Sequence, residues 1–170
     1  LTLFCFTLYF LYERRISDPR ATLLMHVKGD RSMEFTVRDW MMDLVVYVDP
    51  DMFVTDALAT MRRRYINSVI INKSSSNPEF GILTSTDICD KIVSVDGDPS
   101  IVKVSEIMTC PLITVSANMS MAECARLMRK HNIHHLPVAD ERGNLVGMIS
   151  ATDFLVVAEA MGRKGERSLS

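Results

Sequence analysis

Apolar positions along this chain change their period in a fixed order, and they do so twice. Leu44-Val45-Val46-Tyr47-Val48 and Leu112-Ile113-Thr114-Val115 are short β-branched runs, each predicting a strand. Val54, Ala57, Leu58 and Met61 then recur at i, i+3, i+4 and i+7, and Met121, Cys124, Ala125 and Met128 repeat that spacing. Such spacing predicts a helix with one apolar face. Asp51 in the first series, and Asn118 or Ser120 in the second, are the N-cap candidates. Second strands are expected at Ser68 to Ile71 and His135 to Val138, each followed by a polar turn, Lys73 to Pro78 and Asp140 to Asn144. A third apolar stretch closes each series, as Gly81-Ile82-Leu83-Thr84-Ser85-Thr86-Asp87 and as Gly147-Met148-Ile149-Ser150-Ala151-Thr152-Asp153. In both, the aspartate falls where strand hands over to helix. The last helix is expected to bury Phe154, Val157, Ala158 and Met161.

The two series are one unit duplicated. Sliding residues 36–71 by 67 positions sets Val37 on Val104, Met41 on Met108, Met61 on Met128 and Ile66 on Ile133 without a gap. One extra residue in the turn from Asn72 to Phe80 changes the offset to 66, and Asp87 then meets Asp153. Each unit reads β-α-β-β-α, and at roughly 60 residues it is too small to bury two helices and a sheet well alone. The expected architecture is therefore α/β (α+β), with the two repeats packed sheet to sheet about a pseudo-twofold axis and a cleft between them. The divisions are residues 1–35 as an apolar N-terminal segment and linker, 36–95 and 96–161 as the repeats, and 162–170 as a polar tail.

Composition narrows the function classes. The chain has 170 residues, 48% of them hydrophobic, and a net charge of −2, so no basic field points to nucleic acid. Cys89, Cys110 and Cys124 sit among apolar neighbours and read as core fillers, and with Cys5 they show no metal-ligand spacing. Leu1 to Tyr12 is nearly all apolar, but as a helix it would span only about 18 Å of a hydrocarbon core of about 30 Å. Two readings stay open for it: the stump of a membrane helix with Arg14 and Arg15 as flank, or an extension outside the folded domain.

The chemistry concentrates at the duplicated strand ends. Thr84-x-x-Asp87 and Ser150-x-x-Asp153 fit a helix capping box. They also fit a ligand site, since an aspartate can accept two hydrogen bonds from a ribose diol while a hydroxyl and the first helix amides meet phosphate or sugar oxygens. The two roles are compatible. His134 and His135 precede the second repeat's Leu-Pro-Val strand, where the first has neutral Asn67 and Ser68. His131, His134 and His135 lack the nearby Asp, Glu or Cys that would complete a metal site. No nucleophile stands beside a base, and there is no P-loop or H-E-x-x-H, so the reading is not an enzyme. Asp87 and Asp153 share one context, whereas paired acid/base catalysis needs two different ones.

Val37-Arg38-Asp39-Trp40-Met41, its twin Val104-Ser105-Glu106-Ile107-Met108, the Asn132-to-Val138 stretch and the two glycine-to-aspartate motifs together resemble a tandem pair of CBS domains, named after cystathionine β-synthase. The resemblance covers about Thr36 to Glu159. It implies a regulatory module that senses an adenosine-containing ligand (AMP, ADP, ATP or S-adenosylmethionine) between the repeats and transmits occupancy to a partner. It nominates Thr84, Thr86 and Asp87 for one site and Ser150, Thr152 and Asp153 for the other. The family's pocket walls would be Met41, Val46 and Ile66 at the Asp153 site and Met108, Ile113 and Ile133 at the Asp87 site, with His134 and His135 toward phosphate. No obligatory cofactor is expected, a homodimer is, and the location is cytoplasmic unless the N-terminal segment anchors it. The alternatives are a ligand-free dimerisation scaffold or the regulatory part of a truncated membrane protein.

Overall fold

A computed structural model of the chain describes residues 35–75 and 77–166, and in the last helix the side chains up to Glu159. The readings of Leu1 to Tyr12, of Cys5 and of the linker before residue 35 lie outside the described residues. Two compact units emerge. One is Leu44–Thr114; the other joins the described residues up to Asp43 to those from Val115 onward.

The first unit carries β1 (Tyr47–Val48), α2 (Val54–Arg64), β2 (Ser68–Ile71), β3 (Gly81–Thr84), α3 (Ser85–Lys91), a 3-10 turn at Val93–Val95, and α4 (Val104–Ile107). Its sheet runs β1-β2-β3, with β1 parallel and β3 antiparallel to β2. The second unit opens with α1 (Val37–Trp40) and continues with β4 (Val115–Ser116), α5 (Met121–His131), β5 (His135–Ala139), β6 (Leu145–Ser150) and α6 (Asp153–Glu166). Its sheet repeats the pattern as β4-β5-β6. The predicted β-α-β-β-α order is what each unit shows.

Helix α2 forms because Val54, Ala57 and Met61 share one buried face against β2 and β3, where Val69, Ile71 and Leu83 are also fully buried. Helix α5 does the same with Met121, Cys124 and Met128 against Leu136, Val138 and Ile149. Both helices end on a residue in the left-handed region, Tyr65 (φ 55°) and Asn132 (φ 53°), behind the basic runs that end in Arg64 and His131. The arginines of α2's last turn, and Arg129 with Lys130 in that of α5, also offset the helix macrodipole.

Several local expectations need correction. The first strands are only two residues long, because Leu44 and Val45 lie ahead of the ladder that Val46 begins by accepting the Ile70 N–H at 2.8 Å. Asp51 does not cap α2; Phe53 holds that position, without a side-chain hydrogen bond. Ser120 caps α5, with its hydroxyl accepting the Glu123 N–H at 3.2 Å. Cys89 and Cys110 are exposed, and of these three only Cys124 fills a core. On α6 Phe154 and Val157 meet the core as expected and Val156 joins them, while Ala158 is exposed and the Met161 side chain lies outside the described residues. The helix also runs to Glu166, taking up residues whose polarity suggests a tail.

The short helices α1 and α4 place each repeat's lead-in. Val37 N–H and Arg38 N–H donate to Met119 O and Ala117 O, both at 2.8 Å, and Val37 and Trp40 are buried in the core of α5, β5 and β6. In the other unit Val104 N–H and Ser105 N–H donate to Met52 O and Pro50 O, and Val104 and Ile107 enter the core of α2, β2 and β3. After each short helix the backbone pairs with the motif strand: Thr109 with Ile82, and Met42 with Met148. A Cβ on Gly147 would lie 2.7 Å from Met42 O, and one on Gly81 would lie 2.5 Å from Met108 Sδ. Each motif begins with glycine because the lead-in crosses there.

Candidate functional site

At the end of β3, Thr84 N–H and Thr84 Oγ1–H donate to Asp87 Oδ2 at 2.9 and 2.7 Å, and Asp87 N–H donates back to Thr84 Oγ1 at 3.2 Å. At the end of β6, Ser150 N–H and its hydroxyl donate to Asp153 Oδ2 at 2.7 and 3.1 Å. Both aspartates are buried, at 8% and 5% exposure, among the few buried polar residues. Capping accounts for one oxygen of each carboxylate.

Surroundings then differ. Ser150 Oγ and Thr152 Oγ1 are 2.8 Å apart, making a hydroxyl pair beside Asp153, whereas Thr86 is an exposed side chain with no such partner. His135 stands opposite Ser150 across β5 and β6, and His134 O accepts the Ala151 N–H at 2.8 Å. Ser68 stands opposite Thr84 in the same register, and Asn67 O accepts the Ser85 N–H at 3.0 Å. The histidine pair thus flanks the Asp153 motif where the other unit offers Asn67 and Ser68. Pro137 pairs with Met148 as Ile70 pairs with Ile82, so that substitution leaves the backbone register alike.

Asp87 has two further partners that sequence reasoning missed. Lys91 Nζ donates to Asp87 Oδ1 at 2.7 Å and to Ile107 O at 2.6 Å, and Thr109 Oγ1 donates to Asp87 Oδ1 at 3.0 Å. Burial by itself would raise the Asp87 carboxyl; the donors on Lys91 and Thr84, with the Lys91 charge, hold it below the ordinary value of 3.8. A signal existed for Lys91, which lies one helical turn after Asp87, while the second repeat has Val157 in that place.

Met41 lies against Gly147 in the unit of Asp153, and Met108 lies against Gly81 in the unit of Asp87. Val46, Ile66 and Ile113 belong to the unit of Asp87, and Ile133 packs on the core of the unit of Asp153. A cavity of about 280 Å³ in the unit of Asp153 is lined by Arg38, Ser116, Asn118, Asp140 and Arg142 among others, none of them a motif residue. Among the described residues no group of three His, Cys, Asp or Glu could hold a metal ion, and no helix is long and apolar enough to cross a membrane.

Two sheets of this form, each ending in a capped aspartate, are matched by the CBS domain model over residues 37–94 and 104–159. The chain belongs to the CBS-domain family and carries a tandem pair, a regulatory module. It is 37% identical over 97 residues to an uncharacterised protein of Methanopyrus kandleri, covering 57% of this chain and 49% of that one. The chain therefore matches about half the length of that relative. Among solved structures it is similar to the hexameric CBS-CP12 protein of bloom-forming cyanobacteria, with a TM-score of 0.67, 29% identity and coverage of 72% and 67% of the two chains. The fold is shared with a CBS domain pair crystallised with 5′-methylthioadenosine and S-adenosyl-L-methionine, at TM-score 0.64, 22% identity and coverage of 76% and 99%.

Proposed function

We propose that the pair senses an adenosine-containing ligand, an adenine nucleotide or S-adenosylmethionine, and passes its occupancy to a partner. The observation that carries this reading is the buried Asp153 carboxylate, held by Ser150 beside the Ser150–Thr152 hydroxyl pair at the start of a 14-residue helix. In this reading the carboxylate takes the ribose diol, the hydroxyls and first helix amides take sugar or phosphate oxygens, and His134 and His135 approach phosphate. Thr84, Thr86 and Asp87 are the twin motif. The CBS pair solved with two adenosine derivatives supports the ligand class.

Self-association belongs to the same reading. The similar CBS-CP12 protein is hexameric, and this chain exposes Val93, Val95 and Ile101 in one unit and Leu155 in the other. Ligand binding would reach a partner by favouring one of two conformations.

Calorimetric titration with AMP, ADP, ATP and S-adenosylmethionine tests the proposal. Saturable binding by at least one is expected, and Asp153→Ala should weaken it by about 1.5–3 kcal/mol, the cost of losing a charged hydrogen-bond acceptor. No binding at millimolar ligand to folded protein would overturn the sensor and leave a ligand-free scaffold.

A further inference from the structure

We propose that the cavity at the carboxyl ends of β4 and β5 binds a small free α-amino acid, with Arg38 and Arg142 taking its carboxylate and Glu141 its ammonium. Strands β4 and β5 pair in parallel, and each gives its last residue, Ser116 and Ala139, to the cavity wall. Parallel strands open their ligand crevices at this end. Arg38 is brought there by its backbone, since Arg38 N–H donates to Ala117 O at 2.8 Å. Glu141 and Arg142 come from the turn between β5 and β6.

Of the charged side chains on this wall, only Asp140 is engaged by the fold. Its Oδ1 accepts the Arg142 and Asn144 N–H groups at 2.9 and 2.8 Å, and its Oδ2 accepts Asn144 Nδ2–H at 3.0 Å. Among the described residues, the side chains of Arg38, Glu141 and Arg142 have no hydrogen-bond or ion-pair partner. Two such guanidinia and one such carboxylate suit a ligand that carries both signs, because a guanidinium fork matches a carboxylate and a carboxylate matches an ammonium. A bare anion would meet Glu141, and a bare cation would meet the two arginines. At about 280 Å³ the cavity is small for a ligand pocket, which restricts the amino acid's own side chain. Sliding by 67 positions sets Ser105, Asp49 and Asp51 on Arg38, Ser116 and Asn118, and Asp51 is paired with Lys103 at 2.7 Å. The first repeat does not reproduce this charge set.

Probes without adenosine keep the test separate from the proposed function. NMR titration of the full chain with glycine, L-alanine and L-serine should shift the Ser116, Asn118, Glu141 and Arg142 amides saturably at millimolar concentration. Arg38→Gln and Arg142→Gln should each weaken that binding about threefold or more, the scale of an exposed charge pair, and the double variant should abolish it. Acetate and methylammonium, each with one of the two charges, should bind more weakly than glycine. No saturable shift with any of the three amino acids would overturn the site. Acetate binding as tightly as glycine would reveal a plain anion site and overturn the amino-acid assignment. Unchanged binding by the folded double variant would place the ligand elsewhere, and if that variant does not fold, unchanged binding by both single variants overturns the site in the same way.

Discussion

Cys89, Cys110 and Cys124 have similar apolar neighbours in sequence but end at different depths. Cys124 is fully buried in the core of its unit, and burial pushes its thiol up to about 11. Cys89 and Cys110 are exposed. Because the thiolate is the reactive form, maleimide at neutral pH should label Cys89 and Cys110 and leave Cys124 unlabelled until denaturant is added, as read by peptide mass spectrometry. Rapid labelling of Cys124 in the folded protein would contradict its placement. The aspartates teach the same lesson in reverse. Asp87 and Asp153 were legible as candidates from repetition alone, and so was their capping role. The Thr109 donor on Asp87 was not, because it lies 22 residues away in the chain and comes alongside through the bridge between Ile82 and Thr109.

Helix α2 shows how an element can be correctly read in its face and misread at its ends. Period fixes which side chains share a stripe, so Val54, Ala57 and Met61 were legible, but a cap depends on where the incoming chain turns. Phe53 bridges Lys103 at that turn, which puts Asp51 too early to cap. At the other end Tyr65 adopts a φ of 55°, where the equivalent residue of α5 is Asn132, a residue type better suited to that region. The Tyr65 side chain is 63% exposed and buries little. Tyr65→Gly should therefore stabilise the chain by up to about 1 kcal/mol by relieving the left-handed backbone. A rise in the urea midpoint at constant slope is the measurement, and a clear fall would show that the ring contributes more than its exposure suggests.

Across the whole molecule, chain order and spatial membership part at the lead-in. Val37 and Trp40 open the first repeat in sequence yet are buried with α5, β5 and β6. Trp40→Ala should cost about 3–5 kcal/mol, as large aromatic truncations in a core do, whereas Arg38→Ala on the exposed side of α1 should cost less than about 0.5 kcal/mol. Denaturant unfolding followed by circular dichroism separates the two, and equal costs would remove α1 from that core. By itself the sequence determined the duplicated β-α-β-β-α order, the buried helix faces and the two capped aspartates, since periodicity and short-range capping are local properties carried by neighbouring residues. Only the tertiary structure decided which core receives each lead-in, how deep each cysteine lies and that Thr109 reaches Asp87. Those depend on contacts between residues far apart in the chain, and no local pattern encodes which distant donor arrives.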